Sequence, residues 1–281
     1  MKVKKSWIVL VSIAITIIFT FVITIALRPD IRYIIGETID QLGVTANVKK
    51  VDKESLELID CDLKTVMSAE NLYYDYTLML INDEYKLTKD ISEFAILYGN
   101  TDVKMNHSIT KDYAELVKAV KENCKEDILY ISSAYEKTED NGVEAGEHSA
   151  GLAIDVYVKD YKGKDFLKTR AGQYVNSNCW KFGFIVRYPY YGTNKTGVEY
   201  EPWHIRYVGY PHAEIMYKNK WTLEEYLDKL KVGEFYEYGG YYISKQNGNT
   251  ITIPEKYSLI GISPDNTGNY ILTIKQVEDV E

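Results

Sequence analysis

The sequence predicts an α+β fold, preceded by one apolar helix and followed by a small β-rich appendage. Three observations lead there. The stretch Trp7 to Leu27 carries no charged group. Between residues 71 and 232, short runs of branched and aromatic residues alternate with segments of helical apolar period. Past residue 232 the texture becomes tyrosine-rich and alternating around Asn247-Gly248, a dipeptide that favours a two-residue hairpin. The net charge of −8 and the lack of a basic stripe interleaved with aromatics argue against a nucleic-acid partner.

At ~1.5 Å per residue the Trp7–Leu27 stretch is about long enough to cross a ~30 Å hydrocarbon layer. Lys2, Lys4 and Lys5 precede it, which by the positive-inside rule puts everything after Arg28 outside the cytoplasm. The run is longer than the roughly 7–15 residues of a signal peptide, and Thr24-Ile25-Ala26 is a poor cleavage signal. The expectation is a single-pass membrane protein, with residues 1–27 as cytoplasmic tip and anchor.

Residues 28–70 read as a stalk. Ile31, Ile35, Ile39 and Leu42 recur at helical spacing until KKVDKE breaks the pattern. A denser unit follows over 71–232. LMLIND (78–83) reads as a short strand or extended piece, and Thr110 as the N-cap of a helix burying Tyr113, Leu116, Val117 and Val120. ILYIS (128–132), LAIDVYV (152–158), FIVR (184–187) and HIRYV (204–208) read as strands, with a helix across 167–179. Thr222 and Glu225 form a capping box for a further helix. Residues 233–281 make the β appendage, with a hairpin at Asn247-Gly248. The three cysteines, Cys61, Cys124 and Cys179, show no CxxC spacing; the latter two fall at expected helix ends and read as inert buried thiols.

Chemistry concentrates in two segments. Only four histidines are present, and two have unusual company. In EHSAGLAID (147–155), a strand through Leu152–Val158 projects Asp155 to the face opposite Ile154, where a buried carboxylate needs a partner. Gly151 permits a tight turn that returns His148 to the same face. In YEPWHIRYVG (200–209), His204 opens a strand and Glu201 stands three residues ahead of it. His148, Asp155 and His204 together offer two nitrogens and one oxygen. Catalytic zinc sites use three protein ligands and leave the fourth position to water, whose pKa the metal lowers. Glu201 then suits the role of proton acceptor. Spacing alone does not separate this reading from a structural one, because a Glu-x-x-His or a His upstream of an Asp arises often by chance. His107 and His212 lie outside both motifs and read as surface groups.

With both segments in one chain, EHSAGLAID resembles the S-x-H-x-x-G-x-A-x-D motif of the VanY-type D-alanyl-D-alanine carboxypeptidases. YEPWHIRYVG is similar to their E-P-W-H-x-R-Y-V-G motif, and KFGFIVRYP (181–189) to the segment between. LMLINDEYKL, ISSAY and HAEIMYKNKWTLEEYL also look like family segments, so the resemblance spans roughly 71–230. It implies a small, mostly antiparallel sheet with flanking helices around a zinc ion held by His148, Asp155 and His204. It further implies Glu201 as general base and peptidoglycan stem peptides as substrate; Tyr135, Ser149 and Arg187 are the expected substrate contacts. Two departures stand out. Glu136 occupies the place of an arginine that steadies the scissile oxygen, leaving Lys137, Arg187 or Arg206 to substitute. Gly146 replaces a serine that holds the substrate's terminal carboxylate. The alternatives are L,D-carboxypeptidase or endopeptidase action, or a zinc-holding wall-binding domain.

Overall fold

The computed structural model describes residues 2–87, 91, 94–99, 101–125, 127–136 and 146–276. Helix α1 (Lys2–Leu27) contains the Trp7–Leu27 span, with mean hydropathy 2.9 and none of it buried. Thr16, Thr20 and Thr24 donate their hydroxyls to carbonyls one turn back, so the helix satisfies its own polar groups. A helix apolar all round suits a bilayer or a core, and no core surrounds this one.

Only Arg28 separates α1 from α2 (Pro29–Asp40), whose proline takes the first turn, where its missing N–H is no loss. Here the expectation of a stalk fails. Tyr33 and Glu37 of α2 both bond Ser177, at 2.9 and 2.8 Å. Glu37 also accepts from Tyr217, and Thr38 meets Tyr190 at 3.1 Å. Strands β1 (Lys49–Val51) and β2 (Leu58–Asp62) lead into α3 (Leu63–Ala69), capped by Asp62. Both strands pair with the C-terminal region, described below. The region 28–70 is therefore bound to the folded body through α2 side-chain hydrogen bonds, the β1 and β2 pairings and buried Ala46 and Leu63, while Ile39 and Leu42 stay exposed.

The middle of the chain comprises the antiparallel pair β3 (Ala95–Leu97) and β4 (Lys104–Asn106), then α4 (Thr110–Cys124). Thr110 is inside the helix and not its cap. Asn106 caps a preceding 3-10 turn by accepting from Ser108 N, and that turn runs into α4. A four-stranded antiparallel sheet has the order β5 (Tyr130–Ser133), β6 (Ala153–Tyr157), β8 (His204–Tyr207), β7 (Phe184–Val186). Helices α5 (Arg170–Asn178), α6 (Thr193–Thr196), α7 (His212–Asn219) and α8 (Leu223–Lys229) lie around it; the Thr222–Glu225 capping box forms as expected. Tyr113, Leu116 and Val120 of α4 bury against Ile154 and Val156 of β6, with Phe184 and Ile205.

LMLIND is not a strand. Leu78 to Ile81 form a buried irregular segment whose polar backbone is met by side chains and distant backbone, and Asp83 is exposed. Arg206 donates to the carbonyls of Thr77 and Met79, and Leu78 N donates to Ser263. Buried peptide groups need such partners.

The C-terminal strands β9 (Phe235–Tyr238), β10 (Tyr241–Gln246), β12 (Tyr257–Pro264) and β13 (Tyr270–Gln276) form a five-stranded sheet with β1, in the order β1-β9-β10-β13-β12. β11 (Thr250–Pro254) leaves that sheet and pairs with β2. The expected hairpin at Asn247-Gly248 is thus a corner between two sheets. Gln246 bridges it: its side-chain amide accepts from Thr252 N at 2.8 Å and donates to Thr252 O at 2.7 Å, reproducing a strand pair with one side chain. All three cysteines are free, with Cys124 and Cys179 buried.

Candidate metal centre

Strand β6 alternates. Ile154 and Val156 enter the core, so Ala153, Asp155 and Tyr157 share the other face. His204 lies opposite Asp155 in the β6–β8 ladder and therefore on that face. Its Nδ1 approaches Asp155 Oδ1 to 2.9 Å. His148 arrives on the 3-10 turn Glu147–Ala150, closed by Gly151 at φ +66°. A Cβ on Gly151 would stand 2.8 Å from Asn106 N, which donates to Gly151 O, so the turn admits glycine alone. His148 Nε2 reaches to 3.5 Å from Asp155 Oδ1, and the two imidazoles stand edge to face at 4.9 Å.

His148 Nδ1 lies 2.7 Å from the carbonyl of Ala134. A carbonyl only accepts, so Nδ1 carries the proton and Nε2 turns its lone pair toward Asp155. One ligand atom from each of His148, Asp155 and His204 lies within 4.8 Å of the others, the only such trio among the described residues. Asp155 Oδ1 is buried without a hydrogen-bond partner, because the approach of His204 Nδ1 lacks hydrogen-bond geometry. A buried carboxylate oxygen without a hydrogen-bond partner is costly as it stands, and a cation between it and the two imidazoles would relieve that cost. The donor set, two nitrogens and one oxygen with a position left over, fits a divalent metal of zinc's kind.

Behind the trio lies a buried ion cluster that the sequence reading missed. Glu147 Oε1 takes Arg187 Nε at 2.7 Å and Arg206 Nη1 at 2.9 Å, with Oε2 facing His204 Nε2 across 3.6 Å. Arg187 also forms a two-pronged pair with Glu224 at 3.0 and 2.6 Å. Burial alone would raise the Glu147 carboxyl, but the two guanidiniums outweigh it and hold the group well below the usual range. For His204, burial works against the charged ring; Asp155 and Glu147 prevail and push it up to about 9. Asp155, which burial would raise, is held low by the two histidines. The carboxylates thus demand positive charge between them.

Glu201 sits outside the trio yet within electrostatic reach of it. Burial raises its carboxyl above the ordinary glutamate value, Asp155 adds to the rise, and His204 and His148 oppose it. Its backbone is fixed by bonds to Tyr188 O and from His204 N. The Tyr188 ring, also missed, packs 5.1 Å from His204.

The remaining expected contacts divide. Tyr135 is half-buried, one residue past the carbonyl that holds His148. Ser149 sits in the His148 turn and is 9 % exposed. Arg187 is a correction: it is fully buried and committed to two glutamates, so it offers nothing to a substrate. Arg206 is equally buried and spent on Glu147 and backbone carbonyls, so neither arginine substitutes at the scissile oxygen; Lys137 lies outside the described residues. Glu136 is exposed, accepts from Ser133 and donates its backbone N–H to His148 O. His212 is a second correction, since it is 3 % exposed and bonded to Tyr226 and Thr273.

A sheet-borne His–Asp–His trio with a separate glutamate alongside is the outline of a metallopeptidase site. The chain belongs to the VanY family of D-alanyl-D-alanine carboxypeptidases. The family model matches residues 140–210. A D-alanyl-D-alanine carboxypeptidase of Enterococcus faecium is 33 % identical over 245 residues, covering 73 % of this chain and 77 % of that protein. The bifunctional D-Ala-D-Ala dipeptidase and D-Ala-D-Ala carboxypeptidase VanXYC of Enterococcus gallinarum is 32 % identical, covering 55 % and 95 %. The crystal structure of the vancomycin-resistance D,D-dipeptidase VanXYg, in complex with a D-Ala-D-Ala phosphinate analogue, shares the fold. Its TM-score is 0.58 at 23 % identity, covering 79 % of this chain and 99 % of that one.

Proposed function

We propose that this protein is a zinc-dependent D,D-carboxypeptidase, anchored by α1 and acting outside the cytoplasm, that removes the terminal D-alanine of peptidoglycan stem peptides. The observation that carries the reading is the trio of His148, Asp155 and His204, with Asp155 Oδ1 buried and without a hydrogen-bond partner and Glu201 within electrostatic reach of it. Family membership supports the substrate class. We take residues 71–232 as the peptidase unit, with Tyr135 and Ser149 on the substrate side.

A bound zinc ion supplies a water acidified toward neutrality and a Lewis acid for the scissile carbonyl. The chain's own residues do the rest. His148, oriented by the Ala134 carbonyl, and His204, backed by Glu147, hold ring nitrogens toward Asp155 Oδ1. Glu201 accepts a proton from the attacking water and returns it to the departing amine of D-alanine.

The test uses the full-length chain in detergent with stoichiometric zinc. Free D-alanine is expected from L-Ala-γ-D-Glu-L-Lys-D-Ala-D-Ala. Glu201→Ala should lower kcat by ~10²–10⁴ while zinc stoichiometry stays unchanged. Absence of release from the zinc-loaded wild type sinks the reading. One observation favours a second reading, endopeptidase cleavage within stem peptides: the exposed acid Glu136 stands beside His148, where it repels the terminal carboxylate that every carboxypeptidase substrate carries. Cleavage of an internal bond in a cross-linked stem, with no D-alanine released from pentapeptide or tetrapeptide, would select it.

A further inference from the structure

The metal-ligand face of the sheet has one closed end and one open end. Toward Ala153 and Arg206 it is shut by the buried Arg187–Glu147–Arg206 cluster. Toward Tyr157, among the described residues, it opens. Tyr157 lies two residues from Asp155 on the same face, about 7 Å along the strand. Tyr130 is its register partner on β5, the edge strand of this sheet. The two rings stack at 5.4 Å and 29°, with Tyr130 40 % exposed. The turn after β6 brings exposed Lys162 back, its Nζ 4.5 Å from the Tyr157 ring centre. Tyr161, 43 % exposed, borders it. The hydrolytic chemistry assigned above uses none of these groups.

We propose that the Tyr130–Tyr157 stack with Lys162 is a subsite for the N-terminal, non-leaving part of the stem peptide, and that Lys162 pairs with its iso-glutamyl carboxylate. The inference rests on the stem-peptide reading above. The leaving D-alanine is a single residue and needs no extended run beyond the metal ligands. The acyl part is a chain several residues long and needs the open run. An extended chain covers ~3.3–3.6 Å per residue, so a platform about 7 Å from the metal ligands meets the substrate roughly two residues before the scissile carbonyl. There the stem carries a γ-linked glutamate with a free carboxylate. Tyrosine faces supply rigid apolar contact, and a lysine already poised over one ring supplies the opposite charge.

The experiment is calorimetric titration of the zinc-loaded, full-length Glu201→Ala protein with three peptides. These are N-acetyl-L-Lys-D-Ala-D-Ala, the pentapeptide L-Ala-γ-D-Glu-L-Lys-D-Ala-D-Ala, and the same pentapeptide with iso-glutamine. The pentapeptide acid should bind roughly tenfold more tightly than the tripeptide. Adding Tyr157→Ala should erase that preference and leave tripeptide affinity, which reports a folded site, unchanged. Adding Lys162→Ala should make the acid and amide pentapeptides bind alike. Equal binding of pentapeptide and tripeptide to the parent overturns the proposal, as does a preference that survives Tyr157→Ala. D-alanine release by the wild type is measured in parallel. A length preference without any release would count against D,D-cleavage and still support the platform.

Discussion

Glu147 is 3 % exposed and holds two buried guanidiniums with one oxygen while its other oxygen faces His204. Carboxylates behind metal-binding histidines fix ring orientation, and their loss typically costs ~10–100-fold in metal affinity. Glu147→Gln is therefore expected to weaken zinc binding by that amount, read by competition with a chromophoric chelator. It also strips the charge that pairs Arg187 and Arg206, so the metal-free protein should lose about 3–5 kcal/mol in urea melts. Retention of both zinc affinity and stability would show that the cluster is dispensable. The trio and Glu201 stand inside recognisable sequence segments. Glu147 sits next to His148 in one of them, yet nothing in that segment marks it as buried. Its burial depends on Arg187 and Arg206, which come from the β7 and β8 strands much later in the chain. Arg187 likewise reads as a substrate contact because nothing local to FIVR says that Glu147 and Glu224 will enclose it.

Strands announce themselves by composition, whereas their partners do not. ILYIS, LAIDVYV and HIRYV are branched or aromatic enough to be read directly, and β5, β6 and β8 fall on them within two residues. Asn247-Gly248 carries a true turn signal, but a turn says only that the chain reverses. Whether β11 returns to β10 depends on β2, nearly 200 residues upstream, which offers its own edge. Gln246 is the joint that makes the corner hold. Gln246→Ala removes both amide bonds to Thr252, and with two half-buried groups left unmet the cost should be about 2–6 kcal/mol, at ~1–3 for each group stranded. Gln246→Glu keeps the acceptor for Thr252 N but sets a carboxylate against Thr252 O, and it should be no better. Denaturant midpoints for the two variants check this, and a loss below 1 kcal/mol for both would assign the corner's stability to the β11–β2 ladder.

At the scale of the whole molecule, the region expected as a stalk and the expected appendage are stitched together. A chain begun at residue 71 lacks β1, β2 and α2, and so uncovers the β9 and β11 edges together with the apolar surface around Leu63, 4 % exposed in the intact fold. It is expected to aggregate or melt early, since exposed strand edges template association. A chain begun at Arg28 should unfold cooperatively as a monomer, as sizing and thermal melts would show. His212 joins the central unit to the C-terminal sheet, linking α7 to Tyr226 of α8 and Thr273 of β13 at 2.7 and 2.9 Å. Burial lowers its pKa from 6.5 to about 3. Its neutral form contributes fully above pH ~6.5, and as pH falls toward ~3 the unfolded chain binds a proton that the folded one refuses. Stability should then drop by up to about 1.4 kcal/mol per pH unit from this group. His212→Gln should lose that part of the slope between pH 6.5 and 4, measured against wild type by urea melts.

The single residue between α1 and α2 has a further consequence once α1 is embedded as proposed. A long tether would let the cleft sample a hemisphere of wall above it. With one residue of slack and α2 clamped to the body, the cleft travels at a fixed altitude and moves only by drifting sideways and spinning about the anchor. Its hunt for peptides becomes a search in a plane, so turnover in the cell would follow how many stems crowd that layer per unit area, whatever their concentration farther out.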